Sequence, residues 1–592
     1  VATLTDQSNL TDPVWDNADA HPQTPQFARR DAGGWTDVTC QQFRDEVVEL
    51  ARGIIAAGIS PGERIALMSR TRYEWTLIDY AIWAAGAVTV PVYETSSPEQ
   101  IEWILADSGA VACFVETDAH AAEVASVRDT LPHLTRVWTI EPATGRSGLA
   151  ELVAAGSAVA TETVEQRRRR AADDLATIIY TSGTTGRPKG CMLTHRNIYS
   201  DIANAVPGLD NLFHEGASTL LFLPLAHSFA RLIQVGVVQV RVRTAFAPDV
   251  KNLVDDLKAF QPTFVLAVPR VFEKVYNTAK HQAHADGKGA IFDRADRTAV
   301  AYSQALETKA GPGLMLRAQH AIFDKLVYSR LRAALGGQCT AAISGGAPLG
   351  ARLAHFFRGI GVMVYEGYGL TETSPACAVS TQDHTRIGTV GRPLPGVTIR
   401  IDDSGEINVR GDVVFPGYWN NPEGTAEIID ADGWFHTGDL GELDGDGYLS
   451  ITGRKKELIV TAGGKNVAPA VLEDRLRAHA LISQCLVVGD RQPFIAALVT
   501  IDEEAMPAWK REHGKPADAT VADLRADPDL MAEIQEAVDE ANRAVSKAES
   551  IRVFRILAGD FTEANGMLTP SLKVKRTVVA KEYADEIAAI YR

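Results

Sequence analysis

At 592 residues the chain exceeds one ordinary hydrophobic core, so two or more domains are expected. A composition of 46% hydrophobic and 23% charged residues is that of a soluble globular protein. The net charge of −16 argues against non-specific nucleic-acid binding and against a broad attraction to anionic lipid.

Six cysteines (Cys40, Cys113, Cys191, Cys339, Cys377, Cys485) are scattered without Cys-x-x-Cys spacing, which predicts free thiols in a reducing cytosol and neither a zinc site nor a disulfide framework. The N-terminus shows no charged region followed by an apolar core, so no secretory signal is expected. No apolar stretch reaches the roughly 18 residues of a membrane span. The nearest, Tyr80 to Val92, is too short. A cytoplasmic location is expected, compatible with peripheral membrane contact.

In chain order, residues 41–58 place Phe43, Val47, Leu50, Ala51 and Ile54 on one helical face. Gly58 ends that helix, Pro61-Gly62 turns the chain, and Ile65 to Met68 reads as a strand. A helix over about Tyr73 to Ala85 and a strand over Val88 to Val92 follow. Strand, helix and strand in this rhythm predict βαβ units over a largely parallel sheet. The alternation recurs at Val111 to Val115 and Val265 to Val268. The basic run Arg167 to Arg170 reads as a solvated linker face. Leu175 to Tyr180 reads as a buried strand, and Thr194 as the N-cap of the helix beyond it.

Residues 276–335, rich in Ala, Lys, Asp and Arg with helical spacing, read as a helical insertion in which His281 and His284 face solvent. After Arg454 the pattern changes to a small α+β unit: a helix near 470–478, strands at 483–488 and 494–501, and a turn at Arg491 to Phe494. No 20–50-residue repeat is visible, which excludes solenoids. The expectation is an α/β protein: a large N-terminal domain of parallel-rich sheets and helices over 1–452, a hinge at 453–456, and a small α+β C-terminal domain over 457–592.

Tyr180-Thr-Ser-Gly-Thr-Thr-Gly-Arg-Pro-Lys-Gly190 carries the most chemistry. Its glycines let backbone N–H groups approach an anion, its hydroxyls donate further hydrogen bonds, and Lys189 adds a point charge. This is chemistry for holding a polyphosphate. It is not a Walker A loop, because Gly190 stands where that motif needs a hydroxyl.

The loop resembles the phosphate loop of the acyl-adenylate-forming enzymes, which include acyl-CoA synthetases, luciferases and peptide-synthetase adenylation domains. Three further segments are similar to that superfamily's motifs, in the same order. Tyr365-Glu-Gly-Tyr-Gly-Leu-Thr-Glu-Thr373 resembles its adenine and metal motif, Trp434 to Gly441 its ribose motif, and Gly453 to Ile459 its interdomain hinge. The similarity runs from about residue 40 to about 580. It implies the adenylate-forming fold and a two-step reaction. A carboxylate oxygen attacks the α-phosphorus of ATP, pyrophosphate leaves, and a thiol then displaces AMP from the acyl-AMP. Such chemistry mostly requires positioning and charge neutralisation.

The resemblance implies a role for each matching residue. Thr181, Ser182, Gly183, Thr184, Thr185, Gly186 and Lys189 would hold the β- and γ-phosphates. Gly345, Gly346 and Ala347 would line one face of the adenine, with Glu366, Gly367, Tyr368 and Gly369 supplying the other. Thr371 would contact the α-phosphate, and Glu372 with Thr184 would carry Mg²⁺, a hard cation suited to carboxylate and phosphate oxygens. Asp439 would accept hydrogen bonds from the ribose hydroxyls, with Arg454 beside it. His227 matches a position next to the acyl site. Thr569-Pro-Ser-Leu-Lys-Val-Lys-Arg576 is similar to a motif written Pro-x-x-Gly-Lys-[Ile/Val]-x-Arg, making Lys573 the catalytic lysine with Leu572 in the glycine's place. Lys456 falls at the hinge, and Gly463, Gly464, Lys465 and Asn466 would form the thiol entrance for coenzyme A after the small domain rotates.

The Asp432-to-Asp439 and Arg454-to-Lys456 blocks, Ala462 to Pro469 and Val268 to Phe272 resemble long-chain fatty-acid–CoA ligases of bacterial type. The implied substrates are a long-chain fatty acid, ATP and coenzyme A, with Mg²⁺ as cofactor, no nucleic-acid partner, and a monomer or homodimer. The alternative is a fatty acyl-AMP ligase handing the adenylate to a carrier protein. A nucleotide-binding regulator without catalysis is disfavoured by Lys189, Glu372, Asp439 and Lys573. A peptide-synthetase module is disfavoured because a carrier domain is not expected within a chain ending at Arg592.

Overall fold

The computed structural model describes residues 4–31, 34–145, 147–181, 187–248, 252–569 and 572–592. Local sequence chemistry starts many of its helices. Thr39, Ser97 and Thr194 each accept a backbone N–H from a residue three positions on whose side chain returns the bond, opening helices Cys40–Ala56, Pro98–Ser108 and His195–Ala205. The apolar run from Tyr80 to Val92 divides between helix Tyr73–Ala84, buried on every side, and strand Val88–Val92, buried on both faces. Gly86, at φ 78°, turns the chain between them. No helix among the described residues is long and apolar enough to cross a membrane.

Two large sheets dominate residues up to 454. In the seven-stranded sheet, Leu175–Thr181, Val88–Val92, Arg64–Met68, Ala112–Thr117 and Arg136–Glu141 run parallel. In the nine-stranded sheet the parallel set is Met363–Tyr368, Ala341–Ser344, Phe264–Ala267, Ser218–Leu221, Arg243–Phe246 and Pro25–Asp31. A four-stranded antiparallel sheet, Thr398–Ile401, Glu406–Arg410, Phe435–Leu443 and Leu449–Arg454, completes this part. Beyond it, Ile482–Val488, Ile495–Ile501 and Ile551–Ile556 form a separate sheet with its own apolar cores. The third of these strands and the helix Pro528–Asn542 go beyond the elements expected above, although the helix carries a local signal in its Asp527 cap and in Leu530, Ile534, Ala537, Val538 and Ala541 on one face.

One reading changes, and one strand is added. Between the glycine-rich loop and helix His195–Ala205 the structure inserts strand Lys189–Thr194, which pairs antiparallel with Leu175–Thr181 and puts Thr181 opposite Lys189. Thr194 caps helix His195–Ala205 at the end of that strand, as expected. The Arg167-to-Arg170 run is not a free solvated face. Arg168 pairs with Asp12 and Glu165 and lies 4.4 Å over the Trp15 ring, and Arg170 pairs with Asp174. His284 is exposed, as expected, with Asp293 3.4 Å away, while His281 is half-buried. The helical segment runs from Pro269–Ala285 through Gly289–Leu306 and Leu314–Phe323 to Ser329–Ala334. All six cysteines are free and buried.

One buried ion pair, invisible in the sequence, joins the sheets' helices behind the site. Arg231 donates to Asp79 at 2.5 Å, with both side chains essentially sealed from water. Thr89 and Gln234 also donate to Asp79, and the guanidinium lies 5.4 Å and 5.2 Å from the Trp75 and Trp83 rings. Arg231 sits in helix Ser228–Gln239, whose N-cap is His227.

Candidate active site

A single cavity of about 2290 Å³ opens between the large part and the small C-terminal part. Ligand pockets typically span about 300–1,000 Å³, so this one has room for a nucleotide and a long second substrate. Its floor follows the rule that ligands sit at the carboxyl ends of parallel strands. Thr181 ends Leu175–Thr181, Tyr368 ends Met363–Tyr368, and Gly345 follows Ala341–Ser344; all three line the cavity.

Around Glu372 the structure gathers Tyr418, Lys189, Thr371 and Ser228. Tyr418 Oη donates to Glu372 Oε1 at 2.8 Å, and Lys189 Nζ lies 4.9 Å over the Tyr418 ring. Among the described residues Glu372 makes no salt bridge, so its remaining lone pairs suit a hard cation in the donor chemistry of carboxylate and phosphate. Thr371 Oγ1 lies 3.2 Å from Ser228 Oγ at the start of the helix that His227 caps. Gly369 is obligatory here: a Cβ at that position would sit 1.6 Å from the Pro375 carbonyl oxygen. Ser182, Gly183, Thr184, Thr185 and Gly186 lie outside the described residues.

A second corner is built across a strand pair that sets Asp439 opposite Arg454. The Asp439 carboxylate is buried, accepting from Tyr368 Oη at 2.7 Å and from Arg454 Nε at 2.8 Å. Burial, reinforced by the Asp439 charge, raises the Tyr368 phenol well above its ordinary range, so it stays a donor. Gly345, Gly346, Gly367 and Gly369 reach the wall, but Ala347 and Glu366 do not. The Glu366 side chain instead accepts the Leu349 N–H at 3.1 Å and supports the 345–349 loop from behind. Burial pushes that carboxyl up to about 7, against the pull of the Leu349 hydrogen bond.

Lys573 enters the same cavity from the small part. It touches water in the cleft, yet protein crowds it closely. Loss of bulk water, then the Arg454 charge, pulls its ammonium below the ordinary lysine range, opposed by Asp439, Glu457 and Glu372. Its turn is held by Thr569: Lys573 N–H donates to Thr569 Oγ1 at 3.0 Å, and Leu572 N–H to the Thr569 carbonyl. Leu572 adopts φ 61°, the left-handed region where glycine is at home, which gives a physical reason for a glycine in the motif this turn resembles. Pro570 and Ser571 are outside the described residues.

His227 accepts the Phe229 N–H on Nδ1. Burial, then the neighbouring Lys573 charge, pulls it down to about 4, so at neutral pH it is an uncharged imidazole. Behind it the cavity becomes apolar, between Ile202, Val206, Leu209, Phe213, Leu232 and Gly236. Lys456 lines the cleft in the short turn Lys455–Glu457. Gly463, Gly464, Lys465 and Asn466 do not reach the cavity; Lys465 Nζ pairs with Glu549 at 3.3 Å. This pose is held by contacts from the small part to helix Pro269–Ala285. Arg270 lies 3.3 Å from Ser483 and 3.6 Å from Asp502, and Lys274 lies 2.9 Å from Glu504. Tyr418 and Ser228 escaped sequence reasoning. The Pro416-Gly-Tyr-Trp419 stretch was the available signal for the tyrosine, and Ser228 carried none beyond its proximity to His227.

The cleft thus gathers Lys189, Glu372, Asp439 and Lys573 around one α/β cavity, with Lys573 supplied by the small C-terminal part. Residues 14–419 match the family described as AMP-binding enzyme, and residues 456–592 match the AMP-binding enzyme C-terminal domain. The chain belongs to the AMP-binding enzyme family. It is 54% identical to the long-chain-fatty-acid–CoA ligase FadD15 of Mycobacterium bovis, over 100% of this chain and 98% of that protein. It is 32% identical to human long-chain-fatty-acid–CoA ligase 6, over 89% of this chain and 78% of that one. Among solved structures, the adenylation domain of a carboxylic acid reductase from Segniliparus rugosus superposes with a TM-score of 0.75 at 21% identity, covering 99% of this chain and 94% of that one. ATP-bound MatB from Rhodopseudomonas palustris gives 0.71 at 24% identity, covering 99% of each. Both share the fold: a large α/β domain of mixed sheets with a smaller C-terminal domain.

Proposed function

We propose that the protein is a long-chain-fatty-acid–CoA ligase, converting a long-chain fatty acid, ATP and coenzyme A into acyl-CoA, AMP and pyrophosphate through an acyl-AMP. The observation that carries this reading is the convergence of Lys573, Glu372, Asp439 and His227 on one cavity whose inner end is apolar. Identity of 54% over the whole chain to a ligase of that name supports the acid and the acceptor.

In this reading residues 1–452 bind nucleotide and acid, 453–456 act as hinge, and 457–592 form the mobile cap. Lys189 and the loop 181–186 grip the β- and γ-phosphates, and Thr371 faces the α-phosphate. Glu372, with Thr184, would hold Mg²⁺, which would supply neutralisation of phosphate charge there. Asp439 exchanges its bonds to Tyr368 and Arg454 for the ribose hydroxyls, and Tyr368 lies against the adenine. Lys573 sits where a carboxylate attacking the α-phosphorus would bring negative charge, and stabilises it there. His227, uncharged, borders the acid's carboxyl end without serving as a base. For the second step the small domain turns about Lys456, withdraws Lys573 and brings Gly463 to Asn466 toward the thiol.

The test is AMP release from a panel of fatty acids of graded length, with ATP and magnesium, with and without coenzyme A. Acyl-CoA formation that strengthens with chain length supports the reading. Acyl-AMP accumulating without thioester would identify an acyl-AMP ligase instead.

A further inference from the structure

Eleven large apolar side chains are exposed among the described residues, and six of them fall between residues 291 and 326. Four lie on one short stretch, helix Leu314–Phe323 and the wide turn Asp324–Tyr328 that continues it: Leu314 is 85% exposed, Met315 74%, Ile322 57% and Leu326 52%. The inner side of this stretch is firmly seated. His320 stacks on Tyr302 at 3.9 Å and reaches the Gly359 carbonyl, and the buried Tyr328 Oη donates to Ala295. Arg332 pairs with Asp324 at 2.7 Å. The outward orientation is therefore fixed by packing, not by a loose segment.

Charge says what covers this face. Residues 306–334 carry Lys309, Arg317, Lys325, Arg330 and Arg332 against Glu307 and Asp324, a local net charge of +3 in a chain of −16. Lys309, Arg317, Lys325 and Arg330 are all exposed beside the apolar residues. Leucine, isoleucine and methionine flanked by lysine and arginine on one outward face is the composition of a helix that lies in a membrane interface. Basic side chains at such a face are drawn to anionic headgroups, while the acidic remainder of the surface is repelled.

We propose that helix Leu314–Phe323 and the turn after it dock the protein onto an anionic lipid bilayer, with Leu314, Met315, Ile322 and Leu326 inserted and Lys325 and Arg330 on the headgroups. This goes beyond the ligase reading and does not depend on it, because its readout is binding and not turnover.

The test is co-sedimentation of the full chain with vesicles of phosphatidylcholine plus phosphatidylglycerol, and with phosphatidylcholine alone. The wild type should bind the anionic vesicles preferentially and lose binding as salt rises. Combining Leu314→Glu, Met315→Glu and Ile322→Glu should weaken that binding at least tenfold, and Lys325→Glu with Arg330→Glu should do the same. Far-UV circular dichroism and the urea midpoint should be unchanged in both variants, which shows that each has folded. Wild type that ignores anionic vesicles, or variants that bind them as wild type does, would overturn the proposal. So would sedimentation velocity in which the apolar variant splits a dimer while vesicle binding stays the same, since the face would then be a contact between two copies.

Discussion

Replacing Lys573 by methionine keeps most of the side chain's reach and removes only its charge. In the cleft that charge faces Asp439, Glu457 and Glu372, and lies close enough to His227 to depress it. A unit charge about 4 Å from a developing negative charge, at an effective dielectric of about 20, is worth roughly 4 kcal/mol. Loss of one positioned donor to such a charge typically costs about 2.7–4 kcal/mol, or about 10²–10³ in rate. Fatty-acid-dependent exchange of labelled pyrophosphate into ATP should therefore fall by about that factor in Lys573→Met. Thioester formation from supplied acyl-AMP and coenzyme A should survive, because that step does not need this lysine in the cleft. Stability should move the other way. The folded-state pKa of Lys573 lies below its unfolded value, so the unfolded chain holds the proton more firmly. The protonated lysine thus weighs against folding below the folded pKa, and that burden fades as pH rises through the unfolded value of about 10.4. At neutral pH the methionine variant should resist urea at least as well as wild type. Lys575→Met serves as the register control. Exchange that persists in Lys573→Met but collapses in Lys575→Met would refute the assignment.

Three further outcomes are expected. Lys456→Pro should stiffen the turn Lys455–Glu457, leaving pyrophosphate exchange largely intact while overall acyl-CoA synthesis drops; equal loss of both half-reactions would count against a hinge there. Gly236→Phe should fill the apolar end of the cavity, where even a Cβ meets the Phe213 ring at 3.3 Å. Preference should shift toward shorter acids by about 0.8 kcal/mol for each methylene excluded, read as relative kcat/KM across chain lengths, and an unchanged profile would place the acyl chain elsewhere. Arg231→Met strands Asp79 as an unpaired buried charge and should lower stability by about 3–5 kcal/mol, measured as the urea midpoint; a shift below about 1 kcal/mol would mean that the pair is not the brace it looks.

The sequence by itself determined the expected chemistry of the glycine-rich loop and the cadence of the fold. The hydroxyl-rich glycine loop can be read from residue types, because anion binding demands those side chains at short spacing, while the roles of Thr371, Glu372 and Asp439 follow from the resemblance of their motifs. Helices such as Cys40–Ala56 and His195–Ala205 were legible for the same reason: capping and periodicity are local. What the tertiary structure alone decided is long-range. It placed Tyr418 on Glu372 and Tyr368 on Asp439 across 46 and 71 residues of chain. It sealed Arg231 onto Asp79, turned Glu366 away from the cleft, and tied the basic run at 168–170 into the N-terminal surface. It also set Leu572 in a left-handed turn that aims Lys573 at its partners, and left the face around Leu314 uncovered. No local pattern encodes these placements. The energy of a buried charge or an exposed leucine depends on what the rest of the chain brings beside it, and only folding supplies those neighbours.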